Sequence, residues 1–322
     1  VCTKHLNMTL KEKREMDLIL DGLHYSDKNR EWTVEYPWIR DPSELTNNYS
    51  ACLKRLKATE ARLKKMGITY QKAYNDEFQK LVARGTARKL NMEEESKYNG
   101  PVNYIAHHEV LKPDSELTPM RIVCDSTTIN DYWAKGPDVI NSMLGVLLRF
   151  REGIVGMVAD ISKMYSTIRL ATVEQDVHRL LWRNMETHRE PDTYVLERMT
   201  FGDRPSGAIA ILAMRETASM ARDSYPKEAQ VIERNTYVDD LLHSVDDSQA
   251  AIAHMKNIEA ILDKGGFAVK HWVTSLDSSN TSDINIVHRD VEKVLGLRWN
   301  PQTDTFHFQI KYNFSRKVKN VH

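Results

Sequence analysis

The stretch NTYVDDLLHSV, residues 235–245, sets two adjacent aspartates, Asp239 and Asp240, between short apolar runs. An earlier stretch, IVGMVAD at 154–160, ends in a single acid, Asp160. Both apolar runs have the length of a strand, and a tight hairpin would hold the two adjacent carboxylates at its tip. If Asp160 lies on the neighbouring strand, the sequence predicts three carboxylates at one edge of a sheet.

Carboxylates in this position are suited to binding cations. A carboxylate at the rim of a buried strand is partly desolvated, which is costly for an unpaired charge and is relieved by a cation. Oxygen ligands favour Mg²⁺, with Mn²⁺ as a substitute. Two such ions roughly 3.5 to 4 Å apart catalyse phosphoryl transfer. The alternative is that adjacent aspartates cap a helix or occupy a turn, which is our interpretation of Asp246 and Asp247 before SQAAIAHM.

Composition narrows the class of protein. The chain has 322 residues, 45 basic and 45 acidic side chains, and 41% hydrophobic residues. This argues against a disordered polyelectrolyte and allows a large core shared by two or three structural units. No apolar run approaches the ~18 residues that span a bilayer, and the start lacks the apolar part of a signal peptide. With three distant cysteines and no CxxC pair, we expect an intracellular, cytoplasmic protein without a membrane partner.

The charge is unevenly distributed. Residues 50–89 carry eleven Lys or Arg against three Asp or Glu, hence a net charge of +8. This allows a nucleic-acid partner. A solvated helix face is the simpler interpretation, because Leu53, Leu56, Leu63 and Met66 lie at helical spacing beside the charges.

Hydrophobic periodicity and turn residues predict the elements. Helices are expected at 9–22, 43–66, 70–89, 137–151, 206–222 and 248–264. Strands are expected at 101–111, 120–125, 154–159, 177–183, 193–201, 231–238 and 241–245. This mixture, with no regular alternation of strand and helix, predicts an α+β fold.

A series of stretches along the chain carries a family resemblance. YVDD at 237–240 looks like the catalytic hairpin of reverse transcriptases, and VADISKMYSTIRL at 158–170 resembles the segment that supplies their other catalytic aspartate. The further matching stretches are YPW from Tyr36, GPVNYIAHHEV from Gly100, TPMRIVCDS from Thr118, NDYWAKGPD from Asn130, LLRFRE from Leu147, HRLLWR from His178, FGDRPSGAIA from Phe201, GGFAVKHW from Gly265 and VLGLRWNPQTDTF from Val294. In number, order and spacing they are similar to the polymerase region of Pol polyproteins from BEL/Pao-type LTR retrotransposons, from about residue 30 onward.

This resemblance implies a right-hand polymerase with an antiparallel palm sheet. It implies a helical N-terminal segment at 1–69, fingers and the fingers-palm connection at 70–157, the palm with the catalytic acids at 158–247, and a palm helix, a primer-grip-like turn and the start of a thumb at 248–322. The implied activity is that of an RNA-directed DNA polymerase (reverse transcriptase), which joins a dNTP to a primer 3′-hydroxyl. The implied partners are an RNA template, a DNA primer and dNTPs.

The first residue is Val1, not methionine, so we expect a piece of a longer Pol protein. The protease, RNase H and integrase modules of that Pol protein would lie outside this chain. Within the cell, the protein could also be located in virus-like particles.

The resemblance also implies roles for single residues. Asp160, Asp239 and Asp240 would be the catalytic acids that bind two Mg²⁺ ions, with the backbone carbonyl of Ile161 as a further ligand. Tyr165 would lie under the incoming sugar and exclude a 2′-hydroxyl; a core tyrosine is the alternative. The other implied dNTP contacts are Lys112, Arg121, Phe201 and Gly202. The implied primer or template contacts are Tyr237, Val238, Leu295 and Gly296, and Lys270 is a candidate general acid for the pyrophosphate.

Two other functions stay open. Between Thr128 and Asp131 the chain is several residues shorter than the family pattern, which allows a catalytically silent nucleic-acid-binding remnant of a retroelement polymerase. An RNA-templated RNA polymerase would use the same acids but conflicts with the bulky Tyr165. For the doublet at His107 and His108 we expect a structural role, because no metal-binding pattern accompanies it. Four tryptophans are interpreted as core anchors and not as base-stacking platforms: Trp133, Trp182, Trp272 and Trp299.

Overall fold

The computed structural model describes residues 8–111, 120–276 and 284–308, and the fold is α+β as predicted. The helices are α1 Leu10–Asp21, α2 Tyr49–Met66, α3 Ile68–Ala83, α4 Met92–Lys97, α5 Met143–Arg149, α6 Met164–Thr167, α7 Thr172–Gln175, α8 Ser206–Met220, α9 Pro226–Asn235 and α10 Ser248–Lys264. The strands are β1 Leu23–Ser26, β2 Glu31–Val34, β3 Ala87–Lys89, β4 Ala106–Leu111, β5 Met120–Asp125, β6 Val155–Ser162, β7 Arg169–Leu170, β8 Arg179–Trp182, β9 Asp192–Leu196, β10 Thr236–Tyr237, β11 Asp240–Val245, β12 Ala268–Thr274, β13 Glu292–Val294, β14 Leu297–Asn300 and β15 Thr305–His307.

A four-stranded antiparallel sheet forms the centre of the fold, in the order β10-β11-β6-β12. Because side chains alternate along a strand, β6 contributes to an apolar cluster on each face. Met157 and Ala159 belong to the main core, whereas Val158 packs into a second cluster around Trp299. With both faces covered, the end of β6 is where a polar side chain can reach solvent, and Asp160 lies there.

The N-terminal half packs helices α2 and α3 against two small sheets, β4-β5 and β3-β9-β8. Leu56 and Leu63 of α2 are buried, while the basic residues Lys54 and Lys57 are not. The predicted solvated basic face is therefore present. His107 is buried in this region, as predicted for a structural residue, and its ring contacts the Tyr74 hydroxyl at 2.5 Å and the Leu181 carbonyl at 2.9 Å. The four tryptophans predicted as core anchors are all fully buried.

One predicted strand is wrong. Residues 231–238 were expected to be extended because Val231 and Ile232 are β-branched, but α9 continues to Asn235 and only Thr236–Tyr237 are strand. The helix starts with Pro226 at its first turn, a position that needs no backbone N–H donor. Its buried residues are Glu228, Ala229, Val231, Ile232 and Asn235, which is helical and not alternating spacing.

Three predicted helices differ in their bounds. The helix expected at 137–151 covers only Met143–Arg149, because Ser142 caps it by accepting a hydrogen bond from the Gly145 N–H. The helix expected at 43–66 starts at Tyr49, after a separate 3₁₀ turn at Pro42–Glu44. The helix expected at 70–89 ends at Ala83, before Gly85 with φ +65°, and the chain continues as β3. Asp247 caps α10 as predicted.

No helix within the described ranges is long and apolar enough to cross a membrane.

Candidate active site

The structure brings the three predicted acids to one end of the central sheet. Asp160 on β6 is the direct cross-strand partner of Asp240 on β11, and such Cα pairs lie about 4.5 to 5.5 Å apart. Tyr237 and Asp240 close the β10-β11 hairpin, so that Val238 and Asp239 form its two-residue tip. The Ile161 N–H donates to the Asp239 carbonyl at 2.8 Å, which attaches the tip to β6. The convergence expected from sequence is present.

The hairpin tip has an unusual backbone. Val238 has φ +58°, in the left-handed region that a β-branched residue rarely adopts. Such strain persists only where the surrounding contacts impose it, and it is concentrated at functional sites. Here the pairing on both sides of the tip and the bond to Ile161 impose it, which fixes the direction in which Asp239 leaves the backbone.

The carboxylates disturb one another electrostatically. Burial raises the pKa of Asp240 to about 6, and the charges of Asp239, Asp160 and Glu292 add to the effect. Burial also raises the pKa of Asp239, with a further contribution from Asp160. Clustered acids held in this way favour an added cation, because it removes both the repulsion and part of the desolvation cost.

A β-bulge on β12 places a lysine and a histidine, Lys270 and His271, opposite Asp160. Val269 pairs with Ile161 and Trp272 with Ala159, so Lys270 and His271 together face one residue of β6. Bulges of this kind redirect side chains next to functional sites. The Lys270 Nζ lies 3.6 Å from the Asp160 Oδ2, and both side chains are about half exposed. Lys270 is therefore adjacent to the acids.

A second hairpin closes the other side of the site. The β13-β14 turn consists of Leu295 and Gly296, which both have positive φ, +47° and +88°. These two residues line a cleft of about 350 Å³ together with Asp160, Asp240 and Lys270. The sequence pattern did not reveal that His271, Arg289, Glu292 and Lys293 also line it; only the hairpin's return to the sheet brings them there.

Tyr165 lies beside the acids with an aromatic partner. Its ring centroid is 4.5 Å from that of Phe201, which is 60% exposed. Burial and then the charge of Asp239 raise the pKa of the Tyr165 hydroxyl, which indicates that this tyrosine is near the hairpin tip. Gly202 has φ +110°, and a Cβ there would be 2.6 Å from the Cys124 carbonyl oxygen. Glycine is needed at 202 because the backbone passes close to Cys124, while the expected contact of Gly202 with a nucleotide stays a prediction.

The structure gives only positions for the other residues predicted to contact the dNTP, metal or primer. Arg121 is exposed on β5, opposite Val110. Lys112 lies outside the described residues. Ile161 is buried, and Tyr237 and Val238 lie in the acid-bearing hairpin.

The donor set fits a hard divalent cation by its chemistry, since it consists of carboxylate oxygens that repel one another. As placed, however, no group of three or more His, Cys, Asp or Glu side chains within the described ranges is gathered to hold a metal ion. Asp160 instead contacts the Lys270 ammonium. The backbone positions thus converge, while the side chains would have to turn toward a bound ion.

A buried acid network was missed by the sequence reasoning. Asp203 is fully buried and accepts hydrogen bonds from the Tyr36 hydroxyl at 2.7 Å and the Ser126 hydroxyl at 2.5 Å. The His178 Nε2 lies 3.3 Å from the Asp203 Oδ2, the oxygen that also accepts from Tyr36. The partners are distant in sequence, so a local pattern offers no signal. The only hint is that Tyr36 and Asp203 lie in the YPW and FGD stretches quoted above.

Comparison with known proteins gives structural neighbours only. No model of a protein family matches the sequence, and no curated protein matches it. A foamy viral protease-reverse transcriptase in complex with double-stranded DNA is similar over 69% of this chain and 32% of its own, with 17% identity and a TM-score of 0.48. A native prototype foamy virus protease-reverse transcriptase is similar over 72% of this chain and 25% of its own, with 16% identity and a TM-score of 0.46. This chain thus spans a third or less of those proteins, and with similarities this low the function has to be argued from the site itself.

Proposed function

We propose that this chain is the polymerase part of a reverse transcriptase, an RNA-directed DNA polymerase that transfers a nucleotide from a dNTP to a primer 3′-hydroxyl. The observation that carries the proposal is the meeting of Asp160, Asp239 and Asp240 at one end of an antiparallel sheet. The Tyr165–Phe201 ring pair and the Leu295–Gly296 turn beside the acids support it. The sequence resemblance supports the finer assignment to a BEL/Pao-type Pol protein and the division into fingers, palm and thumb.

The acids would hold two Mg²⁺ ions, or Mn²⁺ in their place, with the Ile161 carbonyl as an added ligand. When bound, such ions activate the attacking hydroxyl and neutralise charge on the phosphates. The protein's own part is positioning: the strained hairpin tip fixes Asp239, and the β6-β11 register fixes Asp160 against Asp240. The Lys270 Nζ lies 3.6 Å from the Asp160 Oδ2, and in this proposal Lys270 would give a proton to the departing pyrophosphate.

The rings at Tyr165 and Phe201 would form the floor for the incoming nucleotide. A bulky ring under the sugar leaves no room for a 2′-hydroxyl, which favours dNTPs over ribonucleotides. Arg121 and Lys112 would contact the phosphates, and the Leu295–Gly296 turn would contact the primer. The RNA template, the DNA primer, the other Pol modules and a location in virus-like particles belong to this proposal.

The direct test is primer extension on an RNA template with Mg²⁺. We expect extension by the wild-type chain and a loss of about a thousandfold or more in Asp160→Asn. The matched control is Asp246→Asn, an exposed acid of a second Asp-Asp pair just beyond β11, which should extend as well as the wild type. Equal extension by Asp160→Asn and the wild type would refute the assigned roles.

The alternative function is a silent nucleic-acid-binding remnant. It is favoured by the contact between Lys270 and Asp160 and by side chains that are not gathered around an ion as placed. It predicts that the wild-type chain binds a template-primer duplex but extends it with neither Mg²⁺ nor Mn²⁺. Binding without extension under both metals would replace our proposal with this one.

Sugar selection provides a separate test. Replacing Tyr165 by Ala removes the ring near Asp239, so we expect ribonucleotide incorporation to rise relative to dNTP incorporation. The matched change Tyr70→Ala alters an exposed ring on α3 and should leave the ratio unchanged. Preferential use of ribonucleotides by the wild-type chain would instead indicate an RNA-templated RNA polymerase.

A further inference from the structure

A second cleft lies along the same strand pair as the acids. Ser162 is two residues beyond Asp160 on β6, so both side chains leave the same face, about 7 Å apart. Across from Ser162 is Ala268, the first residue of β12. These two residues line a cleft of about 390 Å³ that also receives Thr86, Ser166 and Lys163.

The lining of this cleft is strongly basic. It includes Arg30, Arg84, Lys163 and Arg198 but only one acid, Glu31. Arg30 pairs with Asp263 at 2.7 Å and Arg198 with Glu31 at 2.6 Å. Lys163 and Arg84 have no carboxylate partner within the part of the chain that the structure describes. Two cationic charges are therefore left over for an anion.

The two unpaired cations, Lys163 and Arg84, are near each other because both line this one cleft. Like charges held together in a cleft repel, and an anion with at least two negative charges between them removes that repulsion. A compact dianion fits this need better than a nucleic-acid strand, whose phosphates carry one charge each and are spaced along the backbone.

The rest of the cleft is built for phosphate oxygens. Hydroxyls of Thr86, Ser162 and Ser166 line it, and each is a hydrogen-bond donor. Arg198 is held in a fixed orientation, since it donates to the Thr167 carbonyl at 2.8 Å as well as to Glu31. Lys163 has φ +50°, a left-handed conformation that few non-glycine residues adopt, at the turn from β6 into α6.

We propose that this cleft binds a diphosphate group, either free inorganic pyrophosphate or the terminal phosphates of a nucleotide. The affinity for the anion follows from Lys163, Arg84 and the hydroxyls alone. That the diphosphate comes from nucleotidyl transfer at the neighbouring acids rests on the proposed function. Neither Arg84 nor Lys163 was among the nucleotide contacts expected from sequence.

Binding is tested on the full chain without nucleic acid, by titration calorimetry with inorganic pyrophosphate in metal-free buffer. We expect Lys163→Gln with Arg84→Gln to weaken pyrophosphate binding about tenfold or more. The control Lys65→Gln removes an exposed charge on α2 and should leave the affinity unchanged. The charge-preserving pair Lys163→Arg with Arg84→Lys should retain most of the binding, which separates lost charge from a damaged fold.

Three results would overturn the inference: no measurable pyrophosphate binding by the wild type, equal binding by the double Gln variant, or an equal loss in the Lys65→Gln control. A fourth is a large loss of template-primer affinity in the double Gln variant without a loss of pyrophosphate affinity. That outcome would make the cleft part of a nucleic-acid track.

Extension kinetics separate the two sources of the diphosphate. If the cleft receives the leaving group, the double Gln variant should need more pyrophosphate for inhibition while its KM for dNTP is unchanged. If it receives the nucleotide's own phosphates, KM for dNTP should rise about tenfold. Should the wild type fail to extend any primer, the calorimetry still decides the inference while the proposed polymerase function falls.

Discussion

The acids at the end of the central sheet differ from the acids buried elsewhere in how they are partnered. Glu60 is 2% exposed, and its carboxylate receives two hydrogen bonds from the Arg183 guanidinium, at 2.8 and 2.6 Å. Asp203 has its two hydroxyl donors and His178. Asp239 and Asp240 are half-buried, and first this burial and then the charges of neighbouring carboxylates raise their pKa. Losing the partner of a buried acid is costly to the fold, whereas acids that repel one another are the feature on which our proposed metal site depends.

This difference predicts opposite effects of neutralising an acid in the two regions. In Asp239→Asn we expect primer extension to fall about a thousandfold, equivalent to about 4 kcal/mol of transition-state stabilisation, because a proposed metal ligand is lost. Its thermal unfolding midpoint should stay at or slightly above that of the wild type. Extension rates and thermal melts on the same preparations measure both effects.

A large drop in the melting temperature of Asp239→Asn would contradict this account, because the acid would then stabilise the fold. The Asp246→Asn chain serves again as the exposed control and should change neither quantity.

The buried pair should respond in the reverse manner. Glu60→Ala leaves the Arg183 guanidinium buried and unpaired, so we expect the free energy of unfolding to fall by about 3 to 4 kcal/mol. Urea denaturation followed by tryptophan fluorescence measures the loss. Replacing both partners with methionine should recover much of it, because no unpaired charge then remains. A loss below ~1 kcal/mol in Glu60→Ala would show that water reaches the guanidinium.

Acid pH should weaken the same buried region through His107. Burial lowers the pKa of His107 from 6.5 to about 4, and the neighbouring His108 adds to the effect. The unfolded chain therefore takes up this proton first. The contribution of neutral His107 to the free energy of unfolding is fully present above pH 6.5. It falls by about 3 kcal/mol as the pH drops toward 4. His107→Gln should remove that part of the pH dependence, whereas the exposed control His188→Gln should not.

Urea unfolding curves at intervals from pH 7.5 to 4 measure this slope. His243 also has a pKa lowered to about 4, by burial and by His254, so a residual slope of similar sign is expected in His107→Gln. An unchanged slope in His107→Gln would exclude this histidine as a source of acid sensitivity.

Much of the central sheet was predictable because it depends on local patterns. The apolar run before Asp160 and the short runs around Asp239 and Asp240 have the length and composition of strands, and pairing of the strands explains the convergence. The strand prediction for 231–238 failed for a physical reason, because Val231 and Ile232 suit a helix or a strand. Only the burial of Glu228 and Asn235 with them, at i, i+3, i+4 and i+7, decides for a helix.

Other features had no local signal. The bulge that sets Lys270 and His271 opposite Asp160 depends on the register of β12 against β6, which the sequence of one strand does not contain. The Asp203 network and the Glu60–Arg183 pair join residues 25 to 167 positions apart. The basic cleft at Lys163 likewise requires Arg84 to be brought from a distant helix end.

The smallest predicted effect is on the free energy of unfolding of Asp240→Asn. Its sign distinguishes the acids of the sheet end from partnered acids such as Glu60. The pKa of Asp240 in the fold is raised from 3.8 to about 6, so its contribution to stability is favourable at low pH and is lost as the pH rises through 6. At pH 7 the ionised carboxylate destabilises the metal-free fold. Asp240→Asn should therefore raise the free energy of unfolding by about 1 kcal/mol, once solvent screening of a partly exposed group is allowed for.

Metal-free urea titrations at pH 7 and pH 4 test the sign, since the gain should vanish at the lower pH. Added Mg²⁺ should then raise the melting temperature of the wild type but not that of Asp240→Asn, because only a chain that binds the ion gains from it. If Asp240→Asn is less stable than the wild type at pH 7 without metal, Asp240 is partnered like Glu60, and the carboxylates at the sheet edge are structural acids.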